Sequence, residues 1–486
     1  MKERCKILFS WLLLIDADEF FSNYWQKTSY HSISKNKDRF KDIFSIKEFK
    51  ELIQDHTNSY MQDILFIKYV DERNIYNPEN YDEMNELNKG QHFKDGQEIK
   101  SQTIWQMFEK EAVMIKMMSP QKYNEYLWNI LSILEHQFGT YVNCDTFLSP
   151  SSQFSNSPIQ YLDFDMFILQ VEGTSSIFSY KPDENTNKNL KEEVIFASQS
   201  EKNNDKYMTI LLQPGDIFYS PKGWGYAQKS EYSDSLQLHF TTNHFNSMAN
   251  ILDLVVPQAL DYVKSSENIS QNIVPPNLVD FMGVSNSEID EEELSEQKED
   301  ETLVQARKTL KSNIKSLLES IASNALDMLD AACDQHIKLF MCHRLPVPLT
   351  PKEDHRTSSG NPNIRIYPFT KVRMLRPGIA RALVEDGMVV VYHCMDNSRD
   401  PSKSILHPLE FDLDDGPTIE VVLSAYPEPV EVSELPHPGE ELDDKLEIVQ
   451  ALYKEGFLYI EDEATIPYND GSDDSSKSGS DDDDPF

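Results

Sequence analysis

The metal-capable residues in this sequence are scattered. A non-haem Fe(II) site needs two histidines and one carboxylate on one face of the metal. Asp163 and Asp165 precede one predicted strand, and His239 and His244 lie at the end of another, so these four residues could contribute to such a site. A lone histidine near a strand end is more often a hydrogen-bonded structural residue. Iron chemistry is therefore a hypothesis that the spacing alone does not favour.

Cysteines and tyrosines give no stronger site. The five cysteines include no CxxC pair, which disfavours zinc or dithiol chemistry and suits a reducing compartment. Tyr161, Tyr219 and Tyr226 could line a cleft, but aromatic side chains in a β-rich domain are also ordinary packing.

Short β-like runs separated by turns would have to position these residues. They predict a β-sandwich or barrel, and the turns are Glu172-Gly173, Pro214-Gly215-Asp216 and Pro221-Lys222-Gly223. The strands are predicted at Thr146–Leu148, Met166–Val171, Ser176–Tyr180, Tyr207–Leu212, Asp216–Tyr219 and Leu236–Thr241.

Helices are predicted before the β-rich region. Apolar residues at helical spacing indicate helices within Ile7–Trp25, and the absence of a cleavage site after ILFSWLLLI argues against a signal peptide. A second helix is predicted from Ser119, with Ser-Pro as its cap and first turn, to Phe138, and Gly139 would end it.

After the β-rich region, composition suggests four further parts. They are an acidic linker over 263–302, helices over 303–350, a small α+β unit over 360–463 and a disordered acidic tail over 464–486. Within the α+β unit we predict strands at Val389–Cys394 and Ile419–Tyr426, a helix at Asp443–Gly456 and a following FLYI strand, an order compatible with a winged helix.

Charge limits the classes of partner. The formal net charge is −37, which disfavours tight binding to a phosphate backbone and favours basic proteins, although such acidity can also serve solubility alone. No run approaches the roughly 20 apolar residues of a membrane span, so no membrane partner is expected.

Several segments in a shared order resemble the JmjC ribosomal oxygenases. They are LFSWLLLIDADEFFSNYWQK, FGTYVNCDTFLSP, FILQVEG, LLQPGDIFYSPKGW, CHRLPVP, LRPGIARALVEDGMVVVYHCMDNS and LDDKLEIVQALYKEGFLY. The resemblance implies an α+β protein: a JmjC double-stranded β-helix (jelly roll) with N-terminal helices over 1–262, a helical dimerisation region and a C-terminal winged-helix domain. Members of the family use Fe(II), 2-oxoglutarate and oxygen to hydroxylate a ribosomal-protein histidine, and histone lysine demethylation has been ascribed to them.

The family's iron and co-substrate positions carry other residues here. Its His-x-Asp pair corresponds to Gln160 and Leu162, its later histidine to Tyr226, and its basic 2-oxoglutarate residue to Ser175. An amide, an alkyl group and a neutral phenol are poor ligands for Fe(II). No histidine in the chain is followed two positions later by Asp or Glu, so an alternative His-x-Asp/Glu pair does not exist. We therefore expect no catalytic residues, no metal site and no bound Fe(II) or 2-oxoglutarate.

The sequence leaves three functions open. The first is a non-catalytic, dimeric JmjC protein that binds a basic ribosomal protein or histone in the nucleus, most specifically the nucleolus. The second is an active dioxygenase with unorthodox ligands, for which Asp163 is the best remaining carboxylate. The third is nucleic-acid binding by the winged helix through Lys371, Arg373, Arg376 and Arg381.

Overall fold

The amino-terminal region is helical, as predicted for Ile7–Trp25. Helix α1 spans Lys2–Leu13 and helix α2 spans Ala17–Asn23. Asp16 caps α2, since its carboxylate accepts a hydrogen bond from the backbone N–H of Asp18 at 2.8 Å. Leu14 adopts a left-handed conformation with φ of 58° and separates the two helices.

The computed structural model describes residues 2–67, 93–151, 160–181, 207–230, 233–284, 298–400, 403, 407–439 and 441–461, with the backbone alone at 2, 160–161, 207 and 298–301. The chain divides into two units, Phe245–Phe340 and the remainder, Met1–His244 with Met341–Phe486. The predicted tail over 464–486 lies outside the described residues.

Small elements connect the first helices to the β-rich region. They are strand β1 (Tyr30–Ser32), helix α3 (Ile46–Asp55), strands β2 (Asn58–Ser59), β3 (Ile64–Ile67) and β4 (Glu98–Ile99), helix α4 (Ser101–Glu111), strand β5 (Met114–Met118) and helix α5 (Glu125–Phe138). Helix α5 begins later than predicted. Its cap is Asn124, whose side chain accepts from the Leu127 N–H at 2.7 Å, whereas Ser119 precedes a separate 3₁₀ turn. The predicted end is confirmed, because Gly139 is left-handed at φ 66°.

The β-rich region contains eight strands among the described residues: the six predicted ones, four of them longer than predicted, and two that were not predicted, Gln160–Tyr161 and Gly225–Ser230. They are β6 (Val142–Ser149), β7 (Gln160–Tyr161), β8 (Asp165–Glu172), β9 (Ser175–Tyr180), β10 (Tyr207–Leu212), β11 (Ile217–Ser220), β12 (Gly225–Ser230) and β13 (Ser235–Thr242). Among the described strands, one sheet has the order β1-β11-β8-β13-β6-β5-β3 and a second has the order β10-β9-β12-β7. The pairings within these two sheets are antiparallel, as expected for a jelly roll.

The larger sheet packs apolar side chains on both faces, so its central strands β8, β11 and β13 are buried along nearly their whole length. On β8, Phe167 and Leu169 join the large core shared with α1, α2 and α5. The alternate residues Met166 and Ile168 belong to a second cluster together with residues of the smaller sheet. Because successive side chains of a strand point to opposite faces, this second cluster lies between the two sheets.

The unit Phe245–Phe340 is helical. It contains α6 (Met248–Ser266), α7 (Leu278–Phe281), α8 (Lys298–Asp327) and most of α9 (Leu329–His343). Val255, Ala259 and Ala325 are buried in its small core. The expected acidic linker over 263–302 differs from this arrangement, because the end of α6, all of α7 and the start of α8 fall within it; residues 285–297 lie outside the described residues.

The carboxyl-terminal domain has its own apolar core. Its elements are α10 (Pro351–His355), β14 (Lys371–Met374), β15 (Ala380–Glu385), β16 (Met388–His393), β17 (Leu409–Phe411), α11 (Gly416–Ser424), β18 (Val430–Glu431), α12 (Leu442–Lys454) and β19 (Leu458–Ile460). Three-stranded sheets form in the orders β18-β14-β19 and β15-β16-β17 among the described strands.

One strand prediction in this domain is wrong. Ile419–Tyr426 is not a strand, because residues Gly416–Ser424 form helix α11 with Pro417 in its first turn. The β-branched run favoured a strand, but proline supplies a helical φ at a helix start and the buried Ile419 and Val422 lie on one helical face. The strand at Val389–Cys394 and the helix and strand after Asp443 are confirmed within a residue or two.

Candidate functional site

The structure brings together the three positions that the family resemblance relates to iron ligands. Strands β7 and β12 pair antiparallel, with Gln160 opposite Tyr226. Leu162 continues from β7, and its backbone N–H donates to the Trp224 carbonyl at 3.1 Å while its carbonyl accepts from Gly223 N–H at 2.6 Å. The three positions therefore lie on neighbouring stretches of the smaller sheet.

Two of these positions are occupied by packed side chains. Leu162 is 5% exposed and Tyr226 is 7% exposed, and both belong to the apolar cluster between the sheets. The other buried members of that cluster are Met166, Ile168, Ile177, Ile210, Leu212 and Phe218. The Tyr226 hydroxyl donates a hydrogen bond to the Gln228 side-chain oxygen at 2.6 Å. The side chains of Gln160 and Tyr161 lie outside the described part of the chain.

This arrangement does not fit an Fe(II) site. Leucine has no donor atom, and its methyl groups are in contact with apolar neighbours. A phenol engaged by a glutamine oxygen at 2.6 Å remains a protonated, neutral group, which is a poor partner for a hard divalent cation. Neither residue can supply the imidazole or carboxylate that the facial triad needs.

The position expected for the 2-oxoglutarate counter-charge is also neutral. Ser175 begins β9 and is 3% exposed. Its hydroxyl shares a hydrogen bond with the Ser235 hydroxyl at 2.7 Å, and Ser235 also accepts from the Gln170 side-chain amide at 2.9 Å. These residues form a neutral hydrogen-bonded group with no cation to attract a dicarboxylate.

Hydrogen bonds continue from this group along β13. The Gln237 amide donates to the Gln170 side-chain oxygen at 2.9 Å, and Gln237 is bonded to His239 Nε2 at 3.0 Å. The His239 ring packs on Phe147 with a centroid distance of 4.2 Å. Burial, together with the Lys116 ammonium, lowers the pKa of His239 to about 3, so the ring is neutral. His239 is thus a structural member of a polar network.

A charged pair near this network was missed in the sequence. The Lys116 ammonium lies 2.9 Å from a carboxylate oxygen of Asp145, whose side chain is largely buried. The Asn143 amide donates to the same Asp145 carboxylate at 3.0 Å. The sequence does place Lys116 inside the apolar run MIKMM, which indicates a buried lysine that needs a partner. The partner, Asp145, lies on another strand and could not be identified from the sequence. The pair leaves the Lys116 charge compensated.

The remaining carboxylate and histidine candidates do not converge. Asp163 is exposed. Asp165 is fully buried, and its carboxylate accepts from the Tyr219 hydroxyl at 2.6 Å and the Asn243 amide at 2.7 Å. His244 Nε2 lies 2.8 Å from the Thr241 hydroxyl. Tyr219 packs in the large core on the opposite face of the sheet and does not line a cleft with Tyr226.

Three of the four basic residues proposed for nucleic-acid contact lie on strands of two sheets, and the fourth, Arg376, lies in the bend that follows β14. Lys371 and Arg373 lie on β14, and Arg381 lies on β15. Arg373 is paired with Glu461 at 2.6 Å and lies over the Tyr459 ring, and the 6% exposed Arg376 is paired with Glu353. Arg373 and Arg376 line a pocket of about 300 Å³ with Arg4, Glu353, Tyr426, Pro427 and Glu461. Two of the four cations are therefore neutralised by carboxylates.

Within the described ranges, one set of three metal-capable side chains has its donor atoms close together, and it lies in the carboxyl-terminal domain. It consists of His393, Asp396 and Glu455. None of the described helices is both long and apolar enough to cross a membrane.

Comparison with known proteins identifies two domains. Residues 116–250 match the JmjC domain, and residues 345–463 match the C-terminal winged-helix domain of ribosomal oxygenase 1. A ribosomal oxygenase 1 from Danio rerio is 25% identical over 484 residues, covering 96% of this chain and 81% of the relative. A bifunctional lysine-specific demethylase and histidyl-hydroxylase NO66 from Dictyostelium discoideum is 26% identical, covering 91% of this chain and 80% of the relative.

Among solved structures, the ribosomal oxygenase YcfD from Escherichia coli in complex with cobalt and 2-oxoglutarate is 13% identical with a TM-score of 0.39. The match covers 93% of this chain and 99% of that one. The chain belongs to the JmjC-domain ribosomal oxygenase family.

Proposed function

We propose that this family member is a non-catalytic JmjC protein that acts by binding. The observation that carries the proposal is the place of Leu162 and Tyr226 in the buried apolar cluster between the two sheets. The same strands that would present iron ligands instead present packing groups. The neutral Ser175 and Ser235 pair adds support, because it offers no charge to 2-oxoglutarate.

The proposed partner is a basic polypeptide, such as a ribosomal protein or a histone tail. The chain has 82 acidic against 45 basic residues, so it attracts cationic segments at long range. Pairing of Arg373 and Arg376 with glutamates further favours a protein partner over a nucleic acid. A partner of this kind fits a nuclear, and specifically nucleolar, location.

The protein is further proposed to form a homodimer through its helical unit. Helix α6 carries two apolar stripes. Val255, Ala259 and Val263 are buried, whereas Leu252, Val256 and Leu260 are 55%, 40% and 37% exposed. The exposed residues are spaced four apart and thus form one continuous face. On α8, Ile314 and Leu318 are also exposed. A second copy of the chain would cover such a repeated apolar face in a symmetric contact.

A turnover assay and a binding assay together test the proposal. The full-length protein, supplied with Fe(II), ascorbate, 2-oxoglutarate and a basic ribosomal-protein or histone peptide, is expected to form no succinate above a heat-denatured control. The same peptides are expected to bind with an affinity that falls as salt is raised. Coupled turnover would refute the non-catalytic assignment, and its loss in D163N would favour the unorthodox dioxygenase. Absence of peptide binding at low salt would refute the basic partner.

A further inference from the structure

Three donor side chains converge at one edge of the winged-helix domain. His393 is the last residue of β16, Asp396 lies in the turn that follows, and Glu455 is the residue that ends α12. One ligand atom from each lies within 4.8 Å of the other two. None of these residues belongs to the jelly roll, and the resemblance to ribosomal oxygenases assigns them no role.

The backbone around the three residues is well anchored. Cys394 N–H donates to the Ile379 carbonyl at 3.1 Å, and the Asn397 side chain donates to two carbonyls, of Met341 at 2.7 Å and Arg344 at 2.8 Å. On the other side, Gly456 N–H donates to the Tyr453 carbonyl at 3.0 Å with φ of 83°, which turns the chain from α12 into β19. The donor atoms are therefore held by ordered backbone on both sides.

His393 is the feature that points to a ligand. It is 5% exposed, and neither of its ring nitrogens has a hydrogen-bond partner among the residues that the structure describes. Its Nε2 faces Glu455, with 3.5 Å between Nε2 and the carboxylate oxygen. A buried imidazole without partners is costly unless something satisfies it.

The two carboxylates are placed where a cation would be favourable. Glu455 follows the last turn of α12, where the helix dipole is negative and a carboxylate is disfavoured. The Glu455 carboxylate also lies close to the Asp396 carboxylate, since a ligand atom of each is within 4.8 Å of the other. Two carboxylates beside a helix carboxyl terminus repel each other, and a divalent cation between them would remove that repulsion.

We propose that His393, Asp396 and Glu455 bind one Zn²⁺ ion. Zinc bonds of about 2.0–2.2 Å in a tetrahedron set ligand atoms about 3.3–3.6 Å apart, and the 3.5 Å between His393 Nε2 and the Glu455 oxygen matches that edge. One imidazole with two carboxylates suits zinc, whereas Mg²⁺ and Ca²⁺ prefer oxygen ligands alone. Asp396 is exposed, so water completes the fourth position. The ion would cross-link strand β16 of the β15-β16-β17 sheet to the carboxyl end of α12.

Calorimetric titration of the untagged, chelator-treated full-length chain with Zn²⁺ tests this site. The wild type is expected to bind one Zn²⁺ per chain, with a dissociation constant below about 1 µM that is unchanged by millimolar Mg²⁺. D396N and E455Q are each expected to weaken binding by roughly tenfold or more. D414N and E447Q remove the same charge from exposed carboxylates of the same domain and are expected to bind as the wild type does.

The proposal is overturned by Zn²⁺ affinity unchanged in both D396N and E455Q, or by wild-type binding weaker than about 100 µM. Thermal unfolding supplies a second readout that remains available if a variant titrates poorly: Zn²⁺ is expected to raise the Tm of the wild type and not that of E455Q. D163N, in the jelly roll, is expected to bind Zn²⁺ normally. Loss of binding in D163N but not in E455Q would also contradict the winged-helix site, whatever the outcome of the oxygenase assay.

Discussion

Replacing Leu162 with alanine is expected to destabilise the protein by about 3 kcal/mol. The change removes three carbon atoms from a side chain that is 5% exposed and packed among Met166, Ile168 and their neighbours. At about 0.8 kcal/mol for each buried carbon, the lost burial alone amounts to roughly 2.4 kcal/mol. The cavity left behind adds to this, because the flanking backbone of Leu162 is tied to Gly223 and Trp224 and cannot collapse freely.

Urea unfolding followed by tryptophan fluorescence measures this effect in the relevant unit. All five tryptophans of the chain, Trp11, Trp25, Trp105, Trp128 and Trp224, belong to the unit that contains the jelly roll. The helical unit Phe245–Phe340 is therefore silent in this signal. Asp163→Ala is the matched control, since Asp163 is the exposed neighbour of Leu162 and its truncation is expected to change stability by less than about 0.5 kcal/mol.

A loss below about 1 kcal/mol for L162A would refute the reasoning. It would mean that the Leu162 side chain borders an open cavity of the kind an iron ligand would occupy, where truncation removes few contacts. The interior would then be available for a substrate or cofactor, and the packing argument for a non-catalytic jelly roll would lose its basis.

Three further predictions concern the same fold. The pKa of the His239 ring is about 3 in the folded protein and about 6.5 in the unfolded chain. Its contribution to the free energy of unfolding is therefore fully present above pH 6.5 and falls by about 1.4 kcal/mol per pH unit toward pH 3. Between pH 7 and pH 5 the wild type should lose about 2 kcal/mol of this free energy in urea unfolding, and H239Q should not show that loss. Gly173→Ala should destabilise the protein more than Gly139→Ala, whose cost is about 1–2 kcal/mol. Both glycines are left-handed, but only at Gly173 would the new Cβ clash with a backbone oxygen, that of Asp234. Leu260→Asp should convert the proposed dimer to monomer in sedimentation velocity, whereas Gln258→Asp, about 200° around α6, should not.

Each of these has a contradicting result. If the free energy of unfolding changes with pH equally in H239Q and in the wild type, the His239 ring takes up a proton as readily in the folded protein as in the unfolded chain. Equal destabilisation by the two glycine variants would mean that the Gly173 turn relaxes away from Asp234. A monomeric wild type, or an L260D variant that remains dimeric, would remove the exposed α6 stripe as the dimer contact.

The sequence predicted those elements whose signal is local. The strands of the jelly roll follow from apolar runs bounded by glycine and proline turns, and Gly139 marks the end of α5 because only a residue tolerant of positive φ suits that place. Helix α11 was not predicted because the β-branched residues Ile419, Val421 and Val422 favour a strand. Pro417 in the first turn and packing in the winged-helix core stabilise the helix instead.

Contacts between distant residues could not be predicted in this way. The Lys116 and Asp145 pair joins adjacent strands, β5 and β6, whose register sequence spacing does not reveal. His393 and Glu455 are brought together by the packing of a strand end against a helix end. The resemblance relates Gln160, Leu162 and Tyr226 to the family's ligand positions, and the pairing of β7 with β12 makes these three residues neighbours.

The jelly roll is proposed to bind no Fe(II), and anaerobic Fe(II) titration of the D396N/E455Q double variant tests this most directly. That background removes two side chains of the one close three-donor set found among the described residues, so iron bound there does not contribute to the signal. We predict that less than about 0.1 Fe(II) per chain is retained at micromolar free iron, with or without 2-oxoglutarate. One Fe(II) per chain whose affinity rises when 2-oxoglutarate is added would contradict the account.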